Sequence, residues 1–208
     1  MGLLRRLRSN GRFVSGRLKR SVRLISRRVT ESTLSPDYYQ RLHEENQSYQ
    51  QNNWLVPETE AVLACRPRTV VEIGCGNGRF LREIASCVEH VIGLDWAVSP
   101  IADTLPENVS LVQADVAKDA IPAADLVCSA DVLEHFHPKD IKAVLAKLHA
   151  AAPFNFHVIA CYDDGRGHLT IQSPERWLAA FKALAPTYRL IKTSSRSKDR
   201  VVCVIANY

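Results

Sequence analysis

The chain has 208 residues, 46% of them hydrophobic and 24% charged, with a formal net charge of +5. That is enough for one domain with a sizeable core, and ordinary globular composition argues against wholesale disorder. No stretch reaches the ~20 consecutive apolar residues of a membrane-spanning helix, and six dispersed cysteines with no Cys-x-x-Cys pair exclude a disulfide-stapled module and suit reduced thiols in the cytoplasm.

Residues 1–30 hold ten of the 27 basic side chains and no acid, which leaves 17 basic against 22 acidic groups in residues 31–208. The positive charge therefore belongs to a tail, and the mildly acidic body is not expected to bind nucleic acid. Leu4, Leu7, Gly11, Val14, Leu18, Val22, Ile25 and Val29 recur every three or four residues, with arginines filling most other positions. Such a basic amphipathic helix fits the anionic inner face of a membrane. An interaction helix, a nucleic-acid arm or an Arg-rich targeting segment has the same composition.

A polar helical stretch is expected from Ser35 to about Leu63, with Ser35 as N-cap and Pro36 at the first helical position. From Thr69 onward, short apolar runs alternate with amphipathic segments. The runs Thr69–Gly74, His90–Asp95, Val109–Asp115, Asp125–Ala130 and Phe154–Tyr162 read as strands buried on both faces. Helices are expected at Arg79–Val88, at Lys139–Ala152 and after Ser173, while Tyr188–Thr193 and Val201–Ile205 read as a closing hairpin. This order predicts a doubly wound α/β fold with a mostly parallel seven-stranded sheet, a terminal antiparallel hairpin and an N-terminal helical extension. The expected organisation is a tail at 1–30, a helical lid at 31–66 and an α/β core at 67–208. Trp96–Glu107 and Val116–Ala123 leave room for about two helical turns each, so the fold is a trimmed one.

The first strand runs into Gly74-x-Gly76-x-Gly78 and then into a helix. Glycines there permit positive φ and close approach of a ligand at the strand tips, where such sheets bind their ligands. The dinucleotide fingerprint needs a small residue three places after its second glycine, and Arg79 stands there, which disfavours a nicotinamide oxidoreductase. Asp95, at the end of the second strand, suits a ribose diol. Asp115, at the end of the third strand, puts a second acid on the same rim, able to accept from an exocyclic amine.

Glu72-x-Gly74-x-Gly76-x-Gly78, Asp95, Asp115 and the stretch Asp125-Leu-Val-Cys-Ser-Ala-Asp-Val-Leu-Glu-His135-Phe together resemble the class I S-adenosylmethionine-dependent methyltransferases, over roughly Arg68 to Ala152. The resemblance implies S-adenosylmethionine as cofactor, its amino-acid part bordered by Gly74, Gly76 and Gly78 and supported by Glu72. It places Asp95 on the ribose, Trp96 against the adenine, Asp115 at the adenine amine, and Ser129 among the cofactor residues.

Methyl transfer from a sulfonium needs alignment and a base for the acceptor's proton. His135 and His168 are the candidate bases, ahead of His137, which Pro138 places at a helix start. Asp131-x-x-Glu134-His135 also resembles the Mg²⁺-binding stretch of O-methyltransferases of ubiquinone biosynthesis and of small-RNA 2′-O-methylation, with His168 as a distant ligand, so a divalent metal is a further option. The Asn/Asp-Pro-Pro-Tyr/Phe signature of amino-group methylation is absent. The expected acceptor is an oxygen on a sugar, a lipid-linked saccharide or another small polar molecule, with Tyr49, Asn52, Asn53 and Trp54 as lid or acceptor contacts. A cofactor-binding module without turnover is the competing class.

Overall fold

The computed structural model describes residues 34–97, 104–165 and 167–208. The amphipathic tail therefore lies outside the described residues. Seven strands form one sheet: β1 (Thr69–Ile73), β2 (His90–Asp95), β3 (Val109–Gln113), β4 (Leu126–Ala130), β5 (Phe154–Ala160), β6 (Arg189–Ser195) and β7 (Val201–Ala206). Their order is β3-β2-β1-β4-β5-β7-β6, parallel from β3 to β5 and antiparallel in the two pairings of β7. The chain reverses direction across the sheet at β1/β4, and this switch point opens a crevice at the strand tips.

Six helices are described: α1 (Pro36–Glu45), α2 (Gln47–Gln51), α3 (Thr59–Val62), α4 (Arg79–Ile84), α5 (Ile141–Ala151) and α6 (Pro174–Lys182). Ser35 caps α1 by accepting from the Tyr38 N–H, and Ser173 caps α6 in the same way through Arg176. On α5, Ile141, Val144, Leu145 and Leu148 turn one stripe into a core shared with Trp177, Phe181 and Tyr188. The opposite face of the sheet packs Leu55, Val62, Phe80, Leu81 and Ile84 against Val70, Val91 and Phe156.

Two expectations need correction. The stretch from Ser35 to Leu63 is broken rather than continuous: Asn46 leaves the helical region, and its Oδ1 accepts from the Tyr49 N–H to start α2 anew. Strand β3, an edge strand, is not buried on both faces: Val109 and Leu111 are half-buried against the core on one face, while Val112 on the other is 45% exposed. Val116–Ala123 contains no helix, in keeping with a trimmed fold.

Candidate active site

The crevice at the tips of β1, β2 and β4 has two connected lobes of about 370 and 730 Å³, which share Tyr39, Tyr49, Gly74, Asp131 and His135. The smaller is lined by Asp95, Trp96, Asp115, Val116 and Phe136. The larger is lined by Glu72, Gly76, Trp54, Tyr162, His168 and Arg196. Seven of the eight residues expected to hold a cofactor belong to this crevice or to the turn that forms it.

The glycine turn is held from the next strand. Gly74 has φ +66°, and its N–H donates to the Leu94 carbonyl at 2.7 Å. A Cβ at Gly74 would stand 2.4 Å from Val132 Cγ2, so only glycine fits. Asp95 Oδ2 accepts from the Gly76 N–H at 2.8 Å, while Oδ1 accepts from the Ala97 N–H at 3.0 Å. One carboxylate thus fixes both turns and keeps further lone pairs for a ligand on its rim. Gly78, also at positive φ, opens α4.

Glu72 is buried, and burial pushes its carboxyl well above the ordinary range. Asn53 Nδ2 donates to Oε1 at 3.4 Å, but Oε2 is buried with no partner among the described residues. A buried acid with an orphaned oxygen, set in the wall of a cleft, fits the ammonium end of an amino-acid ligand. Trp96 lies on the floor of the smaller lobe with its ring 6.1 Å from that of Tyr39. Asp115 reaches the rim, where Oδ1 accepts from the Ala117 N–H and Oδ2 pairs with Lys118 at 2.7 Å.

Ser129 is the exception. It is fully buried, lines neither lobe, and its Oγ sits 2.9 Å from His157 Nδ1 in a buried network that continues to Asn155. Alternation along β4 turns Ser129 away from the face that Ala130 presents to the cleft. Its place is structural, and it is withdrawn from the cofactor set.

Residues 131 to 168 build the far wall. His135 and His168, 33 positions apart, meet edge to face with ring centroids 4.8 Å apart. His135 Nδ1 lies 2.9 Å from the Gly167 carbonyl and His168 Nδ1 lies 2.6 Å from that of Tyr162. A carbonyl only accepts, so each Nδ1 carries the proton and each Nε2 keeps a bare lone pair. His168 Nε2 is 3.8 Å from Glu134 Oε1 and 3.9 Å from Asp164 Oδ2. His137 lines the smaller lobe instead, and its Nδ1 accepts from the Lys139 N–H at the approach to α5.

Burial, with His168 next in weight, pushes the His135 pKa down to about 4, and burial alone lowers that of His157 to about 3. Burial raises Glu72 and Glu134 well above their usual range. A histidine with a depressed folded pKa adds stability that is complete above about 6.5 and is lost as pH falls toward the folded value. A raised glutamate works the other way, with stability present below about 4.5 and lost as pH rises. As pH falls below about 6.5 the two pairs therefore act in opposite directions, and below about 4.5 only the histidines still act. The melting temperature, followed by thermal melts in overlapping buffers, is expected to fall more steeply below about pH 4.5 than just above it. A slope that does not steepen there would contradict this balance.

Glu134, His135 and His168 also form a donor cluster whose ligand atoms lie within 4.8 Å of one another, and Glu134 Oε2 is buried without a partner. Two imidazoles and a carboxylate fit a borderline divalent cation better than Mg²⁺, which favours oxygen. Asp131, part of the metal-like sequence pattern, is not in the cluster. Its carboxylate is held at both oxygens by Arg196, at 2.5 and 2.8 Å.

Sequence reading missed several contributors. Asn77, inside the glycine turn, ties down the segment after α1 by donating to the carbonyls of Tyr49 and Asn52 at 3.0 and 2.7 Å. Tyr39 Oη reaches His135 Nδ1 at 3.3 Å across the cleft. Arg196, from the tip of β6, stacks on Trp54 at 3.8 Å while gripping Asp131. Asn77 could have been found from its position in the turn; nothing in the sequence pairs Arg196 with Asp131.

Residues 70–152 match a family model described as a methyltransferase domain. Residues 70–152 thus carry a methyltransferase domain of the S-adenosylmethionine-dependent kind. No curated protein matches the sequence. Among solved structures, the chain is similar to a 1,6-didemethyltoxoflavin N1-methyltransferase from Burkholderia thailandensis, with 16% identity, 82% of this chain and 85% of that one covered, and a TM-score of 0.65. Magnesium protoporphyrin IX methyltransferase from Synechocystis gives 15% identity, 83% and 95% coverage, and 0.61. The N-methyltransferase NodS from Bradyrhizobium japonicum gives 14%, 83% and 97%, and 0.58. At such identities these likenesses establish the fold. The crevice residues fit the cofactor, S-adenosylmethionine, through the orphaned Glu72 oxygen, the Asp95-bound turn and the space that a Cβ at Gly74 would close. Among the described residues no helix is long and apolar enough to cross a membrane.

Proposed function

We propose that the methyltransferase acts on an oxygen of a small polar acceptor, a sugar or lipid-linked saccharide, bound in the larger lobe between Trp54, Tyr162 and His168. The observation that carries this reading is the pair of bare Nε2 lone pairs on His135 and His168, each imidazole locked in one tautomer by a backbone carbonyl. A hydroxyl must lose its proton as it takes a methyl group, and a neutral imidazole at the wall of the lobe receives it. Bound, the cofactor supplies the sulfonium methyl. The chain's own residues do the rest. Asp95 and the glycine turn orient the nucleoside, Glu72 holds the amino-acid end, and the lid of α1 and α2, fastened by Asn77, limits access of water. Alignment of this kind supplies ~7–11 kcal/mol.

His168 is the preferred base, because it lines the larger lobe with its Nε2 3.8 Å from Glu134 Oε1 and 3.9 Å from Asp164 Oδ2. His168→Asn is expected to lower kcat by ~10²–10⁴-fold while S-adenosylhomocysteine binds within twofold of the native affinity. Labelled methyl transfer to saccharide and membrane extracts supplies the rate, and transfer to an amine, or an unchanged rate, would overturn the reading. The same lone pairs cannot serve a proton and a cation at once. Activity is therefore expected to survive dialysis against EDTA; loss that Mn²⁺ or Zn²⁺ restores would assign the histidines to a metal.

The membrane is the proposed partner of residues 1–30. Each basic group near an anionic surface contributes ~1 kcal/mol before salt screens it. The full chain is expected to sediment with phosphatidylserine vesicles at low salt and to be released at ~0.5 M salt, and a chain lacking residues 1–30 to stay in the supernatant. Equal sedimentation of both would remove the tail from the proposal.

A further inference from the structure

Beside the cleft, two thiols that the methyl-transfer site does not use lie in contact. Cys161 follows β5 directly and Cys203 sits in β7. Cys203 pairs with Ile159, and the Cys161 N–H donates to the Val201 carbonyl at 2.9 Å. Residues 159 and 161 share one face of the sheet, as do 201 and 203, so both side chains emerge on the same side. Their sulfurs are 3.6 Å apart. Cys203 is buried and Cys161 half-buried.

We propose that Cys161 and Cys203 form an oxidisable pair in which Cys161 meets a peroxide and Cys203 resolves the product to an intramolecular disulfide. The Cys161 thiolate attacks one peroxide oxygen. The O–O bond breaks, an S–O bond forms, and hydroxide leaves, giving Cys161 sulfenic acid. The Cys203 thiol then attacks that sulfur. The S–S bond forms as water leaves, and the two sulfurs together have given two electrons to one peroxide. Hydrogen bonding from Cys203 favours the Cys161 thiolate and pushes its pKa below the usual thiol value, which makes Cys161 the attacking partner. A persistent disulfide is unusual in a reducing compartment; a reversible one is the common cytosolic use.

Bridging requires the sulfurs to close from 3.6 Å to about 2 Å. That draws the end of β5 toward β7 and moves Tyr162, whose carbonyl fixes the His168 tautomer and whose ring lines the larger lobe. The glycine turn is anchored on β2 through Asp95 and Leu94 and is not part of this linkage. The consequence for turnover rests on the proposed role of His168; formation of the disulfide does not.

The test treats the reduced full chain with hydrogen peroxide at a few equivalents and maps thiols by peptide mass spectrometry. A Cys161–Cys203 linked peptide, 2 Da lighter than its two thiol halves and recovered as those halves with dithiothreitol, is the expected product. Cys161→Ser should lose that product and retain the other four thiols as in the native chain. Sulfinic acid at Cys161 with Cys203 still a thiol, or a linked pair involving any other cysteine, overturns the proposal. In the oxidised chain S-adenosylhomocysteine should bind within twofold of the reduced form, while methyl transfer falls at least fivefold and recovers with dithiothreitol. A disulfide that forms without slowing transfer would uphold the thiol pair and count against His168 as the base.

Discussion

Gly74→Ala is expected to abolish measurable cofactor binding and to lower the melting temperature by about 5–10 °C. Two costs combine at this position. A non-glycine residue at φ +66° stores ~1–3 kcal/mol of backbone strain. The added methyl would meet Val132 Cγ2 at 2.4 Å, and Val132 belongs to the wall of the smaller lobe. Relief must come from shifting either the glycine turn or the segment after β4, and both shape the crevice. Gly165 provides the control, because it has φ +67° and no atom within 4 Å of the point where a Cβ would stand. Gly165→Ala should cost backbone strain alone and leave S-adenosylhomocysteine affinity unchanged. Equal effects of the two substitutions on binding would show that the contact with Val132 is irrelevant.

Asp95→Ala is the second large effect. The substitution removes the acceptor of the Gly76 and Ala97 N–H groups and the carboxylate offered to the ribose. Hydrogen bonds to charged groups contribute ~1.5–3 kcal/mol each, so a loss of two on the ligand and relaxation of the turn predicts at least ~100-fold weaker binding. Equilibrium dialysis with labelled S-adenosylmethionine checks this. Asp95→Asn keeps one acceptor oxygen and should fall between the two. A native-like affinity for Asp95→Ala would remove the ribose assignment.

Local chemistry made the first half of the site legible. Glycines at the end of an apolar run, followed by helical spacing, describe the β1 turn without long-range information, and Asp95 stands where a strand visibly ends. The same reasoning failed where neighbours decide. An apolar run cannot report that β3 has a partner on one side only, so its exposure was missed. In β4, buried on both faces, apolar residues occupy both parities, and periodicity could not tell that Ser129 faces His157 rather than the cleft. The break at Asn46 was written in its capping preference but was outweighed by the polar helical pattern around it. The far wall depends on tertiary closure: the Gly167 carbonyl brings His135 to His168, and Arg196 crosses from β6 to Asp131. No sequence spacing encodes those meetings.

The central claim is that the crevice between β1, β2 and β4 takes the cofactor. Isothermal titration of the full chain with S-adenosylhomocysteine tests it most directly. One binding site per chain is predicted, with the heat of binding lost in Gly74→Ala and retained in Gly165→Ala. A folded, cooperatively melting chain that takes up neither S-adenosylhomocysteine nor S-adenosylmethionine at millimolar concentration would contradict the account.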